Sequence, residues 1–308
     1  MNGSCECAKT VIYAGRPLAA MFMSRLLGAR NRWAQQQRFP DLRLVWRGYA
    51  VKPGEVDQWL TLAGVTDRRP NSAALLLAPH VTGFRLSMAM LTHPSWPIPI
   101  WRALQVRNRL LLQGRVGLGE PFDLVTDVSG WRTLEKGIEV DVRTRLQRGE
   151  ETPWQSVVTF YYRGSYEPGL NHGEAHGAPA LSPKIDDQAK PSARWRVDPA
   201  GKWAFGTLTG DYNPIHQWDW YARLMGFHGA SAHAQRIVAR SLSQWSFSGD
   251  QKHQLDVWIK GPVYFGAEVV QRQLERSSGE GGDVGVWMAD DPRPALIGRW
   301  TVIRGGTI

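Results

Sequence analysis

The same succession of hydrophobic patterns occurs twice along the chain. In each case the pattern of an apolar helix is followed by the patterns of several strands. In the first part, the segment His80–Leu91 is apolar on nearly every side, which predicts a helix buried on most of its faces. In the segment Val140–Leu146, apolar and charged residues alternate with period two, as in a strand with one polar face. Further strands are predicted at Ala103–Leu112, Phe122–Val128 and Val157–Tyr162.

The second part has the same order. A short helix is predicted at Trp218–Met225 and a longer one at Ala232–Trp245, where apolar residues recur at helical spacing. A helix followed by an antiparallel meander, present twice, predicts an α+β fold with two antiparallel sheets side by side, each wrapped around its own central helix. The strands of the second part are predicted at Leu255–Ile259, Val263–Val270, Val284–Met288 and Leu296–Ile303.

The segments outside these two parts are less regular. Residues 164–193 contain four prolines, four glycines and few apolar residues, which predicts a linker or a long surface crossing. Residues 1–70 form a basic N-terminal extension, with a helix expected within 10–37, a strand at Leu42–Val51 and a short helix at Gln58–Gly64. The predicted organisation is therefore an extension (1–70), a first unit (71–163), a linker (164–193) and a second unit (194–308).

The composition is that of a folded protein with an excess of positive charge. Of the 308 residues, 43% are hydrophobic and 21% are charged, and the formal net charge is +9. A basic protein favours polyanionic partners, such as nucleic acid, anionic lipid, a phosphate-bearing cofactor or an acidic carrier protein. The two cysteines, Cys5 and Cys7, form no disulfide framework, which favours a reducing compartment and a cytoplasmic location. No apolar run of about 18 residues occurs, so no membrane span is expected.

The stretch from Gly210 to His216 places a carboxylate, an amide and an imidazole close together. Gly210 can adopt backbone angles that other residues avoid and Pro214 fixes one φ angle, so a bent and stiff loop is expected. Asp211 and His216 can then point into one pocket, where a carboxylate and an imidazole move protons near neutral pH. The alternative is an ordinary turn at the entry of a helix, because all these residue types are common in turns.

The second unit resembles the MaoC-type hydratase and dehydratase family, which has a hotdog fold. The matching residues are Phe205, Leu208, Thr209-Gly210-Asp211, Asn213-Pro214-Ile215-His216, Ala222, Gly226-Phe227 and Ala232-His233. The first unit resembles the degenerate half of double-hotdog members at Pro79-His80-Val81, Gly83-Phe84 and Val106-Arg107-Asn108-Arg109. The resemblance implies a double hotdog, with a degenerate N-terminal hotdog at 71–163 and a MaoC-like hotdog at 194–308.

The resemblance also implies a reaction, the reversible addition of water to a 2-enoyl thioester of coenzyme A or an acyl carrier. Asp211 and His216 would activate the water, one taking its proton while the other helps to deliver a proton to C2. Asn213 would support the loop. The developing enolate oxygen needs N–H donors, which a helix start at His233 and Ala234 can supply. The family usually has glycine at the position of Ala234, whose methyl group can crowd a thioester.

The first unit has no Asp and His cluster beside its helix. His80 is expected to be a packed or hydrogen-bonded residue, and the unit is expected to widen the cavity for a long or bulky acyl chain. No metal is expected, and no cofactor except coenzyme A or pantetheine as part of the substrate. The candidates for contacts with carrier phosphates are Arg107 and Arg109 on a strand and Arg236 and Arg240 on the second helix.

Two other functions stay open. A thioesterase on the same fold would direct the Asp and His pair at the carbonyl, and a non-catalytic homologue would bind an acyl thioester or a partner protein. Nucleic acid is not an expected partner because no recognised module is present, and a homodimer is compatible with the pattern. His172 and His176 do not have the spacing of an HExxH zinc motif and are assigned to the linker.

Overall fold

The computed structural model describes residues 9–26, 29–69, 72–173, 176–246, 251–275 and 281–303, so Cys5, Cys7 and Glu174 lie outside it. Within these ranges the chain forms seven α-helices and twelve strands. The helices are α1 (Ala19–Leu26), α2 (Trp33–Gln36), α3 (Pro53–Leu62), α4 (Ala78–Leu91), α5 (Lys202–Thr209), α6 (Asp219–Leu224) and α7 (Ala234–Leu242). The strands are β1 (Lys9–Tyr13), β2 (Leu42–Ala50), β3 (Ala103–Leu112), β4 (Pro121–Leu134), β5 (Gly137–Arg148), β6 (Glu151–Arg163), β7 (Asn171–Gly173), β8 (Ala193–Arg196), β9 (Lys252–Ile259), β10 (Glu268–Glu275), β11 (Gly281–Met288) and β12 (Leu296–Ile303).

The strands form one continuous sheet in the order β1-β2-β4-β5-β6-β3-β9-β12-β11-β10-β8, with β7 paired to β4. The two predicted sheets are therefore joined edge to edge by β3 and β9, which pair antiparallel and place Arg109 opposite Asp256. In the described part of the chain, the pair of β1 and β2 is parallel and the other strand pairs are antiparallel.

Each half of the sheet is associated with one central helix. All 14 residues of α4 are buried, as its apolar sequence predicts. The helical stretch Ala73–Leu91 is long and apolar enough to span a membrane by length and composition, but 94% of its most apolar window is buried inside the protein. The second central helix, α7, is shorter than the predicted Ala232–Trp245 and carries a buried face that includes Ile237 and Leu242.

Most strands lie where the alternation of apolar and polar residues predicts them. The bounds of β3 and β12 coincide with the predicted segments, and β4, β5 and β6 extend the predicted cores. β10 is displaced and occupies Glu268–Glu275 instead of Val263–Val270. The reason is a turn at Gly266, which has a φ of +79° and reverses the chain before the strand can begin.

Part of the predicted N-terminal extension lies in the first half of the sheet. β2 pairs with β4, so the sheet includes strands from both sides of the division predicted between residues 70 and 71. That division stays a prediction as a domain boundary. Residues 9–13 form a strand instead of joining the helix expected within 10–37, because they pair in parallel with residues 42–46. The helices α1 and α2 do lie within that range.

The predicted linker runs along the sheet. Its strand β7 pairs with β4, and the Pro179 carbonyl accepts a hydrogen bond from Trp258 Nε1 at 2.7 Å. Ala178 packs with Trp258 and Ile297 in a small cluster that is separate from the main core. The described part of this segment is therefore a surface crossing that connects the two halves.

The helix α5 was not predicted from the sequence pattern. Gly206 lowers the helix propensity of this short segment, and much of its support comes from distant residues. At its C-terminal end, Arg16 Nη2 donates to the Leu208 carbonyl at 2.7 Å and Arg85 Nη2 donates to the Thr207 carbonyl. Two guanidinium groups at the negative end of the helix dipole are stabilising. They fix the position from which the candidate loop starts.

Candidate active site

The candidate loop starts at Gly210, directly after α5. Gly210 has a φ of +79°, a left-handed conformation that glycine adopts without strain. Its N–H donates to the Gly206 carbonyl at 2.7 Å and closes the helix. A Cβ atom at Gly210 would lie 2.9 Å from Arg85 Cγ and 3.2 Å from the Phe22 ring. Both the backbone angles and the lack of space therefore require glycine here.

A series of local hydrogen bonds shapes the loop. Thr209 Oγ1 accepts from the Asp211 N–H at 3.2 Å, and Asp211 Oδ1 accepts from the Asn213 N–H at 3.1 Å. Asn213 Oδ1 accepts from the Ile215 N–H at 3.3 Å and begins the 3-10 turn Pro214–His216. The loop is bent, as expected, and successive side-chain turns hold its shape.

His216 is oriented through one nitrogen of its ring. Nδ1–H donates to the Ser231 carbonyl at 2.8 Å. In the neutral imidazole this leaves Nε2 with a free lone pair, so Nε2 is the atom that can accept a proton. A carbonyl acceptor on the other nitrogen also fixes the ring orientation.

His233 connects the loop to α7. Its side chain is 3% exposed and lies against the rings of Phe205 and His216, with centroid distances of 4.6 Å and 3.8 Å. Nε2–H donates to the Asp211 carbonyl at 3.3 Å and lies 3.6 Å from Asp211 Oδ2. Burial lowers the pKa of His233 well below its ordinary value, and the charge of His216 lowers it further. His233 is therefore neutral at physiological pH.

The three side chains converge. One ligand atom from each of Asp211, His216 and His233 lies within 4.8 Å of the other two. A separation of this size between Asp211 and His216 is one that a single bridging water can span with two hydrogen bonds. Two imidazoles and a carboxylate are also a ligand set for a divalent transition metal. The Nδ1 atom of His233 is buried without a hydrogen-bond partner, so an ion cannot reach that lone pair without a shift of the ring.

Backbone donors lie beside this cluster. His233 is the N-cap of α7, with φ −60° and ψ 135°, and Ala234 and Gln235 are the first residues of the helix. Among the described residues, the N–H groups of Ala234 and Gln235 have no hydrogen-bond acceptor, whereas the Arg236 N–H donates to the His233 carbonyl. Unpaired N–H groups at a helix start can bind a developing negative charge.

Gln235 is a site residue that the sequence pattern did not reveal. It lines a narrow cleft together with Asp211 and His233 from the second half and with Val81 and Phe84 of α4. Its Nε2 atom lies 3.2 Å from His80 Nε2, so the prediction that His80 is a buried, hydrogen-bonded residue is confirmed. A glutamine near the start of a helix gives no sequence signal of a functional role. Gln235 lies in the cleft only because the two halves pack against each other.

The four arginines considered for phosphate binding do not form one cluster. Arg107 makes a two-pronged ion pair with Glu139, and Arg109 makes one with Asp256. The charges of these two guanidinium groups are thereby compensated inside the sheet.

Arg236 and Arg240 line a second cleft, of about 170 Å³, between α3, α7 and β8. Arg236 donates to the carbonyls of Leu62, Asp198 and Ala200. Arg240 lies 5.0 Å from the Trp195 ring and has no acceptor or carboxylate partner within the described residues.

A continuous sheet that is antiparallel except at the pair of β1 and β2, divided into two halves with one central helix each, is the double hotdog fold. This confirms the expected α+β class and the two helices wrapped by sheets. Solved structures of similar architecture include HtdX of Mycobacterium tuberculosis (TM-score 0.65, 20% identity, 85% of this chain and 100% of that chain). A MaoC-like dehydratase from Phytophthora capsici is also similar (TM-score 0.66, 16% identity, 85% of this chain and 95% of that chain). These likenesses confirm that the chain resembles MaoC-like dehydratases in fold.

The similarity extends to sequence for one curated protein. The chain is 26% identical over 181 residues to 3-hydroxyacyl-thioester dehydratase X of Mycobacterium tuberculosis, which is 59% of this chain. The match spans 62% of that relative, which is less than two thirds of its length. No protein-family model matches the chain.

Proposed function

We propose that this protein catalyses the reversible addition of water to the C2–C3 double bond of a 2-enoyl thioester, giving a 3-hydroxyacyl thioester. The observation that carries the proposal is the convergence of Asp211 and His216 within 4.8 Å, beside a helix start whose N–H groups have no acceptor in the described chain. The similarity to a protein named 3-hydroxyacyl-thioester dehydratase X supports the same reaction.

In the proposed reaction, one proton of the water is transferred through the Asp211 and His216 pair to C2. The water oxygen bonds to C3 while Asp211 or His216 takes one of its protons, and the π electrons move to the thioester oxygen. The enolate then collapses, and the proton held by the pair is delivered to C2. The Nε2 atom of His216 suits this exchange because Nδ1–H is held by Ser231. In the dehydration direction the same steps run in reverse.

The remaining loop residues support this exchange. The N–H of Ala234 binds the thioester oxygen as negative charge develops on it. Neutral His233 packs against His216 and holds the Asp211 backbone, so that a second cation does not form beside the proton carrier. Gly210 and Asn213 keep Asp211 in place. We propose that no metal or other cofactor takes part.

The carrier of the acyl group is coenzyme A or an acyl carrier protein in this proposal. The Arg236 and Arg240 cleft is a better phosphate site than Arg107 and Arg109, because the latter are paired with carboxylates. Within that cleft, the guanidinium group of Arg240 has no hydrogen-bond partner in the described chain, so it is the group proposed to bind a phosphate. A homodimer and a cytoplasmic location complete the proposal.

The test uses purified protein and a panel of 2-enoyl thioesters, with loss of the conjugated absorbance as the readout. We expect Asp211→Asn and His216→Gln each to lower the rate about 10²- to 10⁴-fold while the circular dichroism spectrum is unchanged. Exposed Asp187→Asn and His228→Gln are the matched controls. A chelator should leave the wild-type rate unchanged. Release of free thiol in place of hydration would indicate a thioesterase, and wild-type rates in both site variants would refute the assignment.

A further inference from the structure

A chain of buried polar side chains connects the first half of the protein to the candidate site. Ser156 Oγ–H donates to Asn108 Oδ1 at 2.9 Å, and the same Oγ lies 3.3 Å from His80 Nδ1. On the other side of its ring, His80 Nε2 lies 3.2 Å from Gln235 Nε2, which also donates to Gln105 Oε1 at 3.1 Å. His80 and Ser156 belong to the first half, whereas Gln235 lies on α7 of the second.

The direction of these hydrogen bonds follows from the donors present. Ser156 uses its proton towards Asn108, so its oxygen accepts from His80 Nδ1–H. A neutral imidazole has one donor and one acceptor, so His80 Nε2 accepts from the Gln235 amide. His80 stays neutral because complete burial lowers its pKa to about 4. The order of the protons along the chain is therefore consistent from end to end.

This order determines what Gln235 presents to the cleft. Both hydrogens of its amide nitrogen are used, one by His80 and one by Gln105. Its carbonyl oxygen Oε1 has no donor partner among the described residues, although the side chain is only 8% exposed. Gln235 lines the cleft that also contains Asp211 and His233. The first half thus holds the Gln235 amide in the cleft that Asp211 and His233 also line, and leaves Oε1 without a donor in the described chain.

We propose that Gln235 Oε1 accepts a hydrogen bond from the attacking water, and that His80 is a positioning residue that keeps this oxygen turned towards the cleft. The inference rests on the proposed hydration reaction. A water molecule has two hydrogens, and the Asp211 and His216 pair removes only one of them. The second hydrogen stays on the oxygen throughout the reaction. A hydrogen-bond acceptor for it therefore orients this oxygen in hydration and in dehydration, and the acceptor itself exchanges no proton.

The proposal assigns a role to the half that lacks a catalytic pair. A neutral histidine in a fully buried site supplies one donor and one acceptor in a fixed geometry, which an apolar ring cannot do. If His80 were only part of the core, an apolar ring of similar size would serve as well. The two explanations differ in whether the loss of His80 acts through Gln235.

A double-mutant cycle on kcat and KM tests this dependence. We expect Gln235→Ala and His80→Phe each to lower kcat about tenfold or more, which corresponds to the loss of one oriented hydrogen bond. The two effects should not add, because in a Gln235→Ala protein there is no amide whose position the loss of His80 could change. The variant His80→Gln keeps an acceptor for the Gln235 amide and should restore much of kcat. Ser87→Ala, also buried on α4, is the control.

Additive losses in the double mutant, or a loss confined to KM, would overturn the proposal. A second measurement keeps it falsifiable if His80→Phe does not fold. The ring nitrogens of His80 in the wild-type protein can be observed by ¹⁵N NMR with labelled histidine. We expect a protonated Nδ1 and an unprotonated Nε2, and the opposite tautomer would refute the arrangement. This readout does not depend on turnover, so it separates failure of the inference from failure of the proposed reaction.

Discussion

His216 and His233 lie ring against ring, with centroids 3.8 Å apart and planes inclined by 30°. Two charged imidazoles at this distance would repel each other, and burial with the charge of His216 keeps the pKa of His233 low. One ring can therefore exchange a proton while the other stays neutral and holds the Asp211 backbone. This division of tasks is not visible in the linear motif, because 16 residues separate the two histidines.

The buried histidines predict a loss of stability in acid. The pKa of His80 is lowered from 6.5 to about 4 by burial. Well above pH 6.5 neither the folded nor the unfolded chain carries a charge on this ring. Between the two pKa values the unfolded chain binds a proton that the folded chain excludes, so the free energy of unfolding falls as the pH falls. His80 alone accounts for about 3 kcal/mol of this loss at pH 4.

Urea midpoints measured from pH 4 to pH 7.5 check this effect, with His80→Gln as the comparison because glutamine does not titrate. The stability of the variant should depend less steeply on pH than that of the wild-type protein. Because the pKa of His233 is lowered as well, some dependence should remain in the variant. Parallel curves for the two proteins would contradict the assignment of His80 as a buried neutral base.

Ala234→Pro removes the proposed oxyanion donor with little change to the helix. Proline is tolerated at the first helical position, and the extended conformation of His233 suits a residue that precedes proline. We expect kcat to fall about 10²- to 10³-fold and the melting temperature to change little. Ala234→Gly keeps the N–H, removes the methyl group, and should retain or raise kcat/KM. Equal activity of both variants would exclude this N–H as the donor.

Gly210→Ala should lower both stability and activity. The new Cβ combines an unfavourable φ of +79° with contacts of 2.9 Å to Arg85 Cγ and 3.2 Å to Phe22. We expect a loss of about 1–3 kcal/mol in the free energy of unfolding and a displaced Asp211. Gly226→Ala is the matched control, because Gly226 has a φ of +88° and no atom within 4 Å of the built Cβ. Denaturant titrations should therefore show a smaller loss for Gly226→Ala, with activity retained.

The proposed phosphate site at Arg240 predicts a change in KM that depends on the carrier of the acyl group. Arg240→Gln should raise KM for a coenzyme A thioester about tenfold, the value of one charge-assisted hydrogen bond. The KM for a short thioester of N-acetylcysteamine, which has no phosphate, should not change. Arg109→Gln breaks the pair with Asp256 and should lower the melting temperature instead. An equal rise of KM for both substrates would contradict a phosphate contact.

Patterns along the chain were sufficient to predict the two central helices, most of the strands and the bent loop with its Asp and His pair. These features depend on local periodicity, on the backbone freedom of Gly210 and on turns made by neighbouring side chains, all of which can be read along the chain. The boundaries of α7 and β10 were less accurate, because a helix end and a turn depend on a few residues only.

The surroundings of that loop depend instead on contacts between distant parts of the chain. The helix α5 is supported by Arg16 and Arg85 from other parts of the chain, so local propensity did not predict it. Arg107 and Arg109 have no acidic partner nearby in the sequence, but in the sheet they form ion pairs with Glu139 and Asp256. Gln235 reaches the cleft because the two halves pack against each other. Contacts between residues far apart in sequence leave no periodic pattern, and these contacts decide which side chains share a site.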